Sequence, residues 1–309
     1  MFLIFIANLR RPMKMKKDLV LQGCGTALVT PFTADGAVDF DALERLVDRQ
    51  VAGGVHFLVP LGTTGETPTL SDEEKTAVFR RVRERAGGLP LMPGVGTNSL
   101  SGTLANIRLL EPLGPDALLV VVPYYNKPTQ QGMYEYFKAV AAATTLPVII
   151  YNVPGRTGAN MLPDTVLRLA AEMPNIRGIK EASGNFAQVS DLVRRIPEGF
   201  TVLGGDDDLT LAYMAAGAHG VISVASNIAP AEVTQMVEAL QRDDIAAARR
   251  LHQRLFPLFK ACFVESNPIP AKAALARLGL CGGTLRLPLV AASENTDVLM
   301  QKVMDELWK

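Results

Sequence analysis

The chain has 309 residues, 48% hydrophobic and 20% charged, the balance of a well-packed globular protein and a length that suits one α/β barrel or two ordinary domains. Lys and Arg number 31, as do Asp and Glu, so there is no basic excess of the kind a nucleic-acid or anionic-membrane partner calls for. The 3 histidines (His56, His219, His252) and 3 cysteines (Cys24, Cys262, Cys281) lack metal-ligand or CxxC spacing. That pattern argues against a metal centre and a disulfide framework, and for buried thiols in the reducing cytoplasm.

The N-terminal run Met1-Phe2-Leu3-Ile4-Phe5-Ile6-Ala7 is apolar but too short to span a bilayer. Its basic cluster (Arg10, Arg11, Lys14, Lys16, Lys17) follows the apolar part, the reverse of a secretory signal. Met13 and Met15 are alternative starts, and residues 1–22 are set apart as an N-terminal extension expected to be partly disordered.

From Gly23 onward, short apolar runs alternate with amphipathic stretches at a period of roughly 25 to 30 residues. Strands are predicted at 25–30, 57–61, 91–96, 117–122, 147–152, 177–181, 201–205 and 220–224. Most are near-continuous Val, Ile or Leu, as strands buried on both faces should be. Helices are predicted at 40–52, 71–85, 100–111, 131–142, 163–171, 186–195, 208–215 and 231–241, with start signals at Asp39, Asn185 and the Ser71-x-x-Glu74 capping box. Strict alternation of strand and helix favours a closed parallel (β/α)8 barrel, a TIM barrel, over an open sheet, and no G-x-G-x-x-G follows the first strand. After Gln241 the alternation stops. Three helices are predicted at 244–263, 270–278 and 295–307, so the expected domains are a barrel at 23–243 and a small helical domain at 244–309.

In such a barrel the chemistry sits at the C-terminal ends of the strands, and that is where the unusual residues fall. The second strand is followed by Gly62-Thr63-Thr64-Gly65-Glu66, the fourth by Pro123-Tyr124-Tyr125-Asn126-Lys127-Pro128, and the fifth runs into Tyr151-Asn152-Val153-Pro154-Gly155-Arg156-Thr157. The sixth ends at Lys180, the seventh at Gly204-Gly205-Asp206-Asp207 and the eighth at Ser223-Val224-Ala225-Ser226. Because side chains alternate along a strand, Lys180 faces one way while Ile179 and Glu181 face the other. On the inner face its amine would lose hydration, which disfavours the charged form and favours a nucleophile able to attack a carbonyl. Each feature also has an ordinary reading: an edge-strand lysine, a plain turn, packing tyrosines, a surface arginine, a Gly-Asp-Asp that caps the next helix. Their recurrence at consecutive strand exits favours a common site.

Thr63-Thr64-Gly65-Glu66, Tyr151-Asn152-Val153-Pro154-Gly155-Arg156-Thr157 and Ile179-Lys180-Glu181-Ala182-Ser183 resemble, in order and spacing, the motifs of the dihydrodipicolinate synthase family. That family belongs to the pyruvate-dependent class I aldolases, which include N-acetylneuraminate lyase, and the similarity runs from about Gly23 to the C-terminus. The resemblance implies a barrel with a C-terminal helical domain. It implies a lyase that condenses pyruvate with L-aspartate 4-semialdehyde on the diaminopimelate route to lysine, with no cofactor beyond a covalent pyruvate Schiff base. Lys180 would form that Schiff base and Tyr151 would move the protons beside it. Thr63 and Tyr125 would complete the relay, with Tyr125 reaching in from a neighbouring subunit of a homotetramer. Thr64, Ile222 and Gly205 match substrate-binding positions, and Arg156 matches the group that holds the semialdehyde carboxylate.

A planar guanidinium suits a carboxylate, whereas sugar-acid aldolases need hydrogen-bonding groups for a polyhydroxylated aldehyde. Arg156 therefore favours the synthase over the alternative of a pyruvate-dependent aldolase or dehydratase acting on a sugar acid or other aldehyde. A catalytically silent, ligand-binding barrel is the reading from a different class. The chain departs from lysine-inhibited relatives in that Lys75 and Gly102 stand where a histidine-like residue and a glutamate help to bind the inhibitor, although Asn98 and Tyr124 are kept. Weak or absent feedback by lysine is expected.

Overall fold

The computed structural model describes Leu19 and residues 21–309, so the reading of residues 1–18 as an extension with alternative starts lies outside the described residues. Among the described residues seven strands are formed: β1 (Gly23–Ala27), β2 (Phe57–Val59), β3 (Leu118–Val121), β4 (Val148–Asn152), β5 (Ile176–Glu181), β6 (Thr201–Gly204) and β7 (Gly220–Ser223). They pair in parallel in the order β2-β1-β7-β6-β5-β4-β3.

The predicted strand at 91–96 is not a regular strand. The segment instead bridges the two ends of the sheet, with parallel bridges Leu58↔Leu91 and Gly94↔Leu119. Met92 N–H donates to the Leu58 carbonyl and Val95 N–H to the Leu119 carbonyl, both at 2.9 Å, so the ring is closed through it. Pro90 and Pro93 explain the irregularity, because neither carries an N–H for a continuous ladder. Gly94 is demanded by close approach: a Cβ there would lie 2.3 Å from the Leu61 carbonyl oxygen.

The period-two pattern of each strand divides the apolar side chains into two clusters. Ala27, Phe57, Val59, Met92, Leu119, Ile149, Leu203 and Ile222 pack together inside the ring, with Tyr151. Cys24, Leu58, Val120, Ile150, Ile179, Val202 and Val221 belong to the larger core shared with the helices. The outer layer is α1 (Phe40–Ala52), α2 (Asp72–Arg85), α3 (Leu100–Leu110), α4 (Gln130–Ala142), the one-turn α5 (Pro154–Thr157), α6 (Pro163–Glu172), α7 (Phe186–Arg195), α8 (Thr210–Ala215) and α9 (Pro230–Gln241). The three expected caps form. Asp39 accepts from Ala42 N–H, Asn185 accepts from Gln188 N–H, and Ser71 and Glu74 complete a reciprocal capping box.

Three more helices follow: α10 (Ile245–Ala261), α11 (Ile269–Arg277) and α12 (Glu294–Leu307). α10 packs on α9 and α12, while α11 lies against the turn at 225–227 on the rim where the strands end. The three cysteines are buried free thiols.

Candidate active site

Lys180 occupies the fifth position of β5 and is only 6% exposed. Its strand neighbours in register are Tyr151 and Leu203, both members of the inner cluster, so the amine projects into the ring. Its Nζ lies 4.2 Å from the centroid of the Tyr151 ring. Ile179 and Glu181 face the outer layer, as the alternation of a strand requires.

What holds the lysine in place is on the other face. The two carboxylate oxygens of Glu181 accept from Asn152 Nδ2 at 3.0 and 3.2 Å, from Ser183 N–H at 2.9 Å and from Gln188 Nε2 at 3.1 Å. Burial pushes the Glu181 carboxyl up, and these donors oppose that rise. Gly205 leaves the space the lysine stem needs: a Cβ there would come within 2.6 Å of Ala182 Cβ and 3.0 Å of Lys180 Cε.

Above Tyr151 opens a cleft of about 440 Å³ whose wall includes Thr63, Tyr124, Tyr151, Val153, Arg156 and Asn267. Each expected residue can now be placed. Thr63 is exposed on the cleft wall, in the one-turn 3-10 helix Thr63–Gly65. Thr64, next to it, is 2% exposed and turned inward. Arg156 is carried into the cleft by α5, a single turn that is not among the predicted helices and is started by Pro154 at its first position, where the missing N–H costs nothing. Ile222 lies in the inner cluster, fully buried. Tyr125 is not brought to the cleft: it is 87% exposed, on a backbone with φ +72°.

The Gly-Asp-Asp segment does something other than the simple cap considered for it. Asp206 occupies the cap position of the 3-10 turn Asp207–Leu209 but makes no capping bond, and its Oδ2 is buried without a hydrogen-bond partner. Its carboxyl is pushed up to about 6, chiefly by burial and secondly by the charge of Asp208, while the Lys180 cation opposes the shift. Asp207 Oδ2 accepts from Val224 N–H and Ala225 N–H, each at 3.0 Å, and so fixes the loop after β7. Burial raises Asp207 as well.

Two groups that sequence reasoning did not single out come from the far end of the chain. Asn267, 5% exposed, donates from Nδ2 to Thr64 Oγ1 at 2.9 Å. Its carbonyl oxygen accepts from Arg156 Nη2 at 3.4 Å. Lys272, fully buried, pairs with Glu66 at the end of the Thr-Thr-Gly-Glu turn. An Asn-Pro dipeptide between two helices signals only a turn, and Lys272 reads as one cation on an ordinary helix, so nothing local pointed across about 200 residues to the barrel. Among the described residues there is no group of three or more His, Cys, Asp or Glu side chains placed to hold a metal ion.

The chain was compared with known proteins. The model of the dihydrodipicolinate synthetase family matches residues 20–307. The 4-hydroxy-tetrahydrodipicolinate synthase of Moorella thermoacetica is 51% identical over 271 residues, 87% of this chain and 92% of the relative. That of Sorangium cellulosum is 50% identical over 292 residues, 94% and 97%. Among solved structures, dihydrodipicolinate synthase from Thermotoga maritima superposes with a TM-score of 0.91 at 44% identity, covering 93% of this chain and 98% of that one.

Proposed function

The chain belongs to the dihydrodipicolinate synthetase family, and from that premise we propose that Lys180 carries the reaction at the mouth of the barrel. The enzyme is a lyase that condenses pyruvate with L-aspartate 4-semialdehyde to give 4-hydroxy-tetrahydrodipicolinate, on the diaminopimelate route to lysine. The observation that carries the residue assignment is a lysine 6% exposed, 4.2 Å from the ring of a tyrosine that lines a cleft also lined by an arginine.

In this reading the Lys180 amine adds to the keto carbon of pyruvate, and loss of water leaves an iminium. The iminium is an electron sink, so the pyruvate methyl gives up a proton and becomes an enamine. The enamine carbon attacks the aldehyde carbon of the semialdehyde, forming the new carbon–carbon bond while the aldehyde oxygen takes a proton. The amino group of the semialdehyde then attacks the iminium carbon, which closes the ring and releases Lys180; the water lost earlier balances the reaction. Tyr151 is suited to moving these protons because its hydroxyl both donates and accepts. Thr63, and Tyr125 of the partner subunit, would link it to solvent.

Thr64, Gly205 and Ile222 bound the pyruvate side, and Arg156 receives the second carboxylate bidentately. Side chains supply every role, so the reaction as proposed uses no separate cofactor. Residues 23–243 then serve as the catalytic barrel and 244–309 as a helical domain closing one wall of the cleft. The high exposure of Tyr125 supports burial against another copy, and we place the enzyme in the cytoplasm as a homotetramer built from dimers. Among the described residues no helix is long and apolar enough to cross a membrane.

Borohydride reduction in the presence of pyruvate, followed by peptide mapping, tests the assignment. A reduced adduct on Lys180 is expected. An unmodified protein, or an adduct on another lysine, overturns it. Replacing Arg156 with Ala should raise KM for the semialdehyde by about tenfold or more while leaving adduct formation intact; better turnover of a sugar acid than of the semialdehyde by the unaltered enzyme would favour the aldolase alternative.

A further inference from the structure

Thr64 has one hydroxyl proton, and a carboxylate can only accept. If Thr64 is to bind the pyruvate carboxylate, that proton must not be committed elsewhere. Asn267 settles the question by donating from Nδ2 into Thr64 Oγ1, which fills an acceptor position of the hydroxyl and leaves its own O–H to point at the ligand. Asn267 is 5% exposed and Thr64 2%, so water does not compete freely for either group. Asn267 Oδ1 is buried without a hydrogen-bond partner. A buried unpaired acceptor is unfavourable, and its retention is explained if the amide face, not the oxygen face, has to meet Thr64. The main chain of the same residue accepts from Arg156 at 3.4 Å, so one residue touches the groups assigned to both carboxylates.

The loop bearing Asn267 is itself fixed. Ile269 N–H donates to the Ser266 carbonyl at 2.9 Å, and Lys272 N–H donates to that of Pro268 at 2.9 Å. The Lys272 side chain is paired with Glu66, two residues beyond Thr64. The turn at 63–66 is therefore tied at two points to the segment 267–272, once from the loop and once from α11.

We propose that Asn267 is a positioning residue for the pyruvate carboxylate: its amide dictates the direction of the Thr64 hydroxyl proton, and its carbonyl restrains the Arg156 guanidinium beside it. This rests on the reading of Thr64 and Arg156 given above. The side chain acts on the pyruvate side and the main chain on the semialdehyde side, so side-chain variants should separate the two substrates.

The experiment measures half-saturation by pyruvate of the borohydride-trapped adduct, together with KM for each substrate and kcat, in the wild type, Asn267→Ala, Asn267→Asp and Thr64→Val. Asn267→Ala leaves the hydroxyl free to rotate and should raise the pyruvate half-saturation about tenfold. Asn267→Asp is nearly isosteric but accepts the Thr64 proton and sets a negative charge beside the carboxylate, so it should raise that value about a hundredfold. KM for the semialdehyde and kcat at saturation should each change by less than about threefold. In Thr64→Val, adding Asn267→Ala should have no further effect on pyruvate, since the hydroxyl it orients is gone.

Equal pyruvate half-saturation in wild type and both Asn267 variants overturns the proposal, as does an Asn267→Ala effect that persists in full on the Thr64→Val background. Failure of the wild type itself to trap pyruvate overturns the underlying assignment instead. Should Asn267→Asp not fold, judged by far-UV circular dichroism, Asn267→Ala and its cycle with Thr64→Val decide by the same criteria.

Discussion

Lys272 in α11, with no side-chain exposure, pairs at 2.5 Å with Glu66, whose side chain is 1% exposed and whose backbone sits at φ +51°. A non-glycine residue in the left-handed region costs on the order of 1–2 kcal/mol, and here the side chain is held firmly enough to keep it there. Lys272 Nζ also donates to the Thr284 carbonyl at 2.9 Å and lies 4.0 Å from the centroid of the Phe32 ring. Arg286 N–H donates to the other Glu66 oxygen at 3.0 Å, and the Arg286 guanidinium covers the same ring at 4.4 Å. Burial lowers the Lys272 ammonium from its ordinary range, and the Glu66 carboxylate opposes that shift. A dry ion pair thus ties the turn carrying Thr63 and Thr64 to the last helices.

Removing one partner of this pair strands a buried charge. Lys272→Met alone and Glu66→Gln alone should each lose about 3–5 kcal/mol in urea unfolding, and the double variant should recover a substantial part of the loss. Single variants that cost less than about 1 kcal/mol would show that the pair is dispensable.

Gly205→Ala probes the space around the lysine stem. The added methyl would lie 2.6 Å from Ala182 Cβ and 3.0 Å from Lys180 Cε, so the lysine or the strand end must shift. The rate of adduct formation with pyruvate should fall by roughly 10²-fold, because a displacement of about 1 Å is enough to do so, with a stability loss of about 1–3 kcal/mol from overpacking. An unchanged trapping rate would mean the stem has another route to the keto carbon.

Asp206 gives a pH-dependent signal with a definite sign. Its carboxyl is raised from 3.8 to about 6 by burial and Asp208, so the folded chain binds this proton more tightly than the unfolded chain does. Ionisation therefore opposes folding: the penalty is absent below the unfolded value, grows as pH rises through the window from 3.8 to about 6, and is constant above it. Asp206→Asn should accordingly gain stability relative to wild type between about pH 4 and about pH 7. Unfolding curves at both pH values measure the gap; a gap that stays constant or shrinks contradicts the assignment.

Feedback by lysine is expected to be weak or absent. The Lys75 ammonium, on the cleft wall, is bonded to Asp72 at 2.9 Å and to Asn106 at 3.4 Å, and Gly102 offers no side-chain carboxylate for an α-ammonium group. Initial rates with and without millimolar lysine should agree, and strong inhibition would refute the expectation.

Much of this was legible in the residues because it is written in local patterns. Alternation along β5 put Lys180 on one face and Ile179 and Glu181 on the other, and the caps at Asp39, Ser71 and Asn185 marked helix starts that are present. The run Leu91-Met92-Pro93-Gly94-Val95-Gly96 read as a strand because apolar periodicity outweighed its proline, yet the missing donor reduces it to bridges. The contacts of Asn267 and Lys272 were invisible for another reason. They depend on tertiary approach over a long sequence separation, and an isolated asparagine or lysine carries no signal for that. Asp207 likewise meets its partners only once β6 and β7 lie side by side.

The closure through residues 90–96 bears on motion as well as shape. Six of the inter-strand seams are parallel ladders, one of them with a register shift at Val148/Ile149, while the stretch that completes the circle contains two residues without an amide hydrogen. Gly94 and Gly96 of that stretch also line the cleft. In native-state hydrogen exchange, this staple between β2 and β3 should be the first part of the ring to lose protection. A substrate that fills the cleft would slow exchange there before anywhere else in the ring.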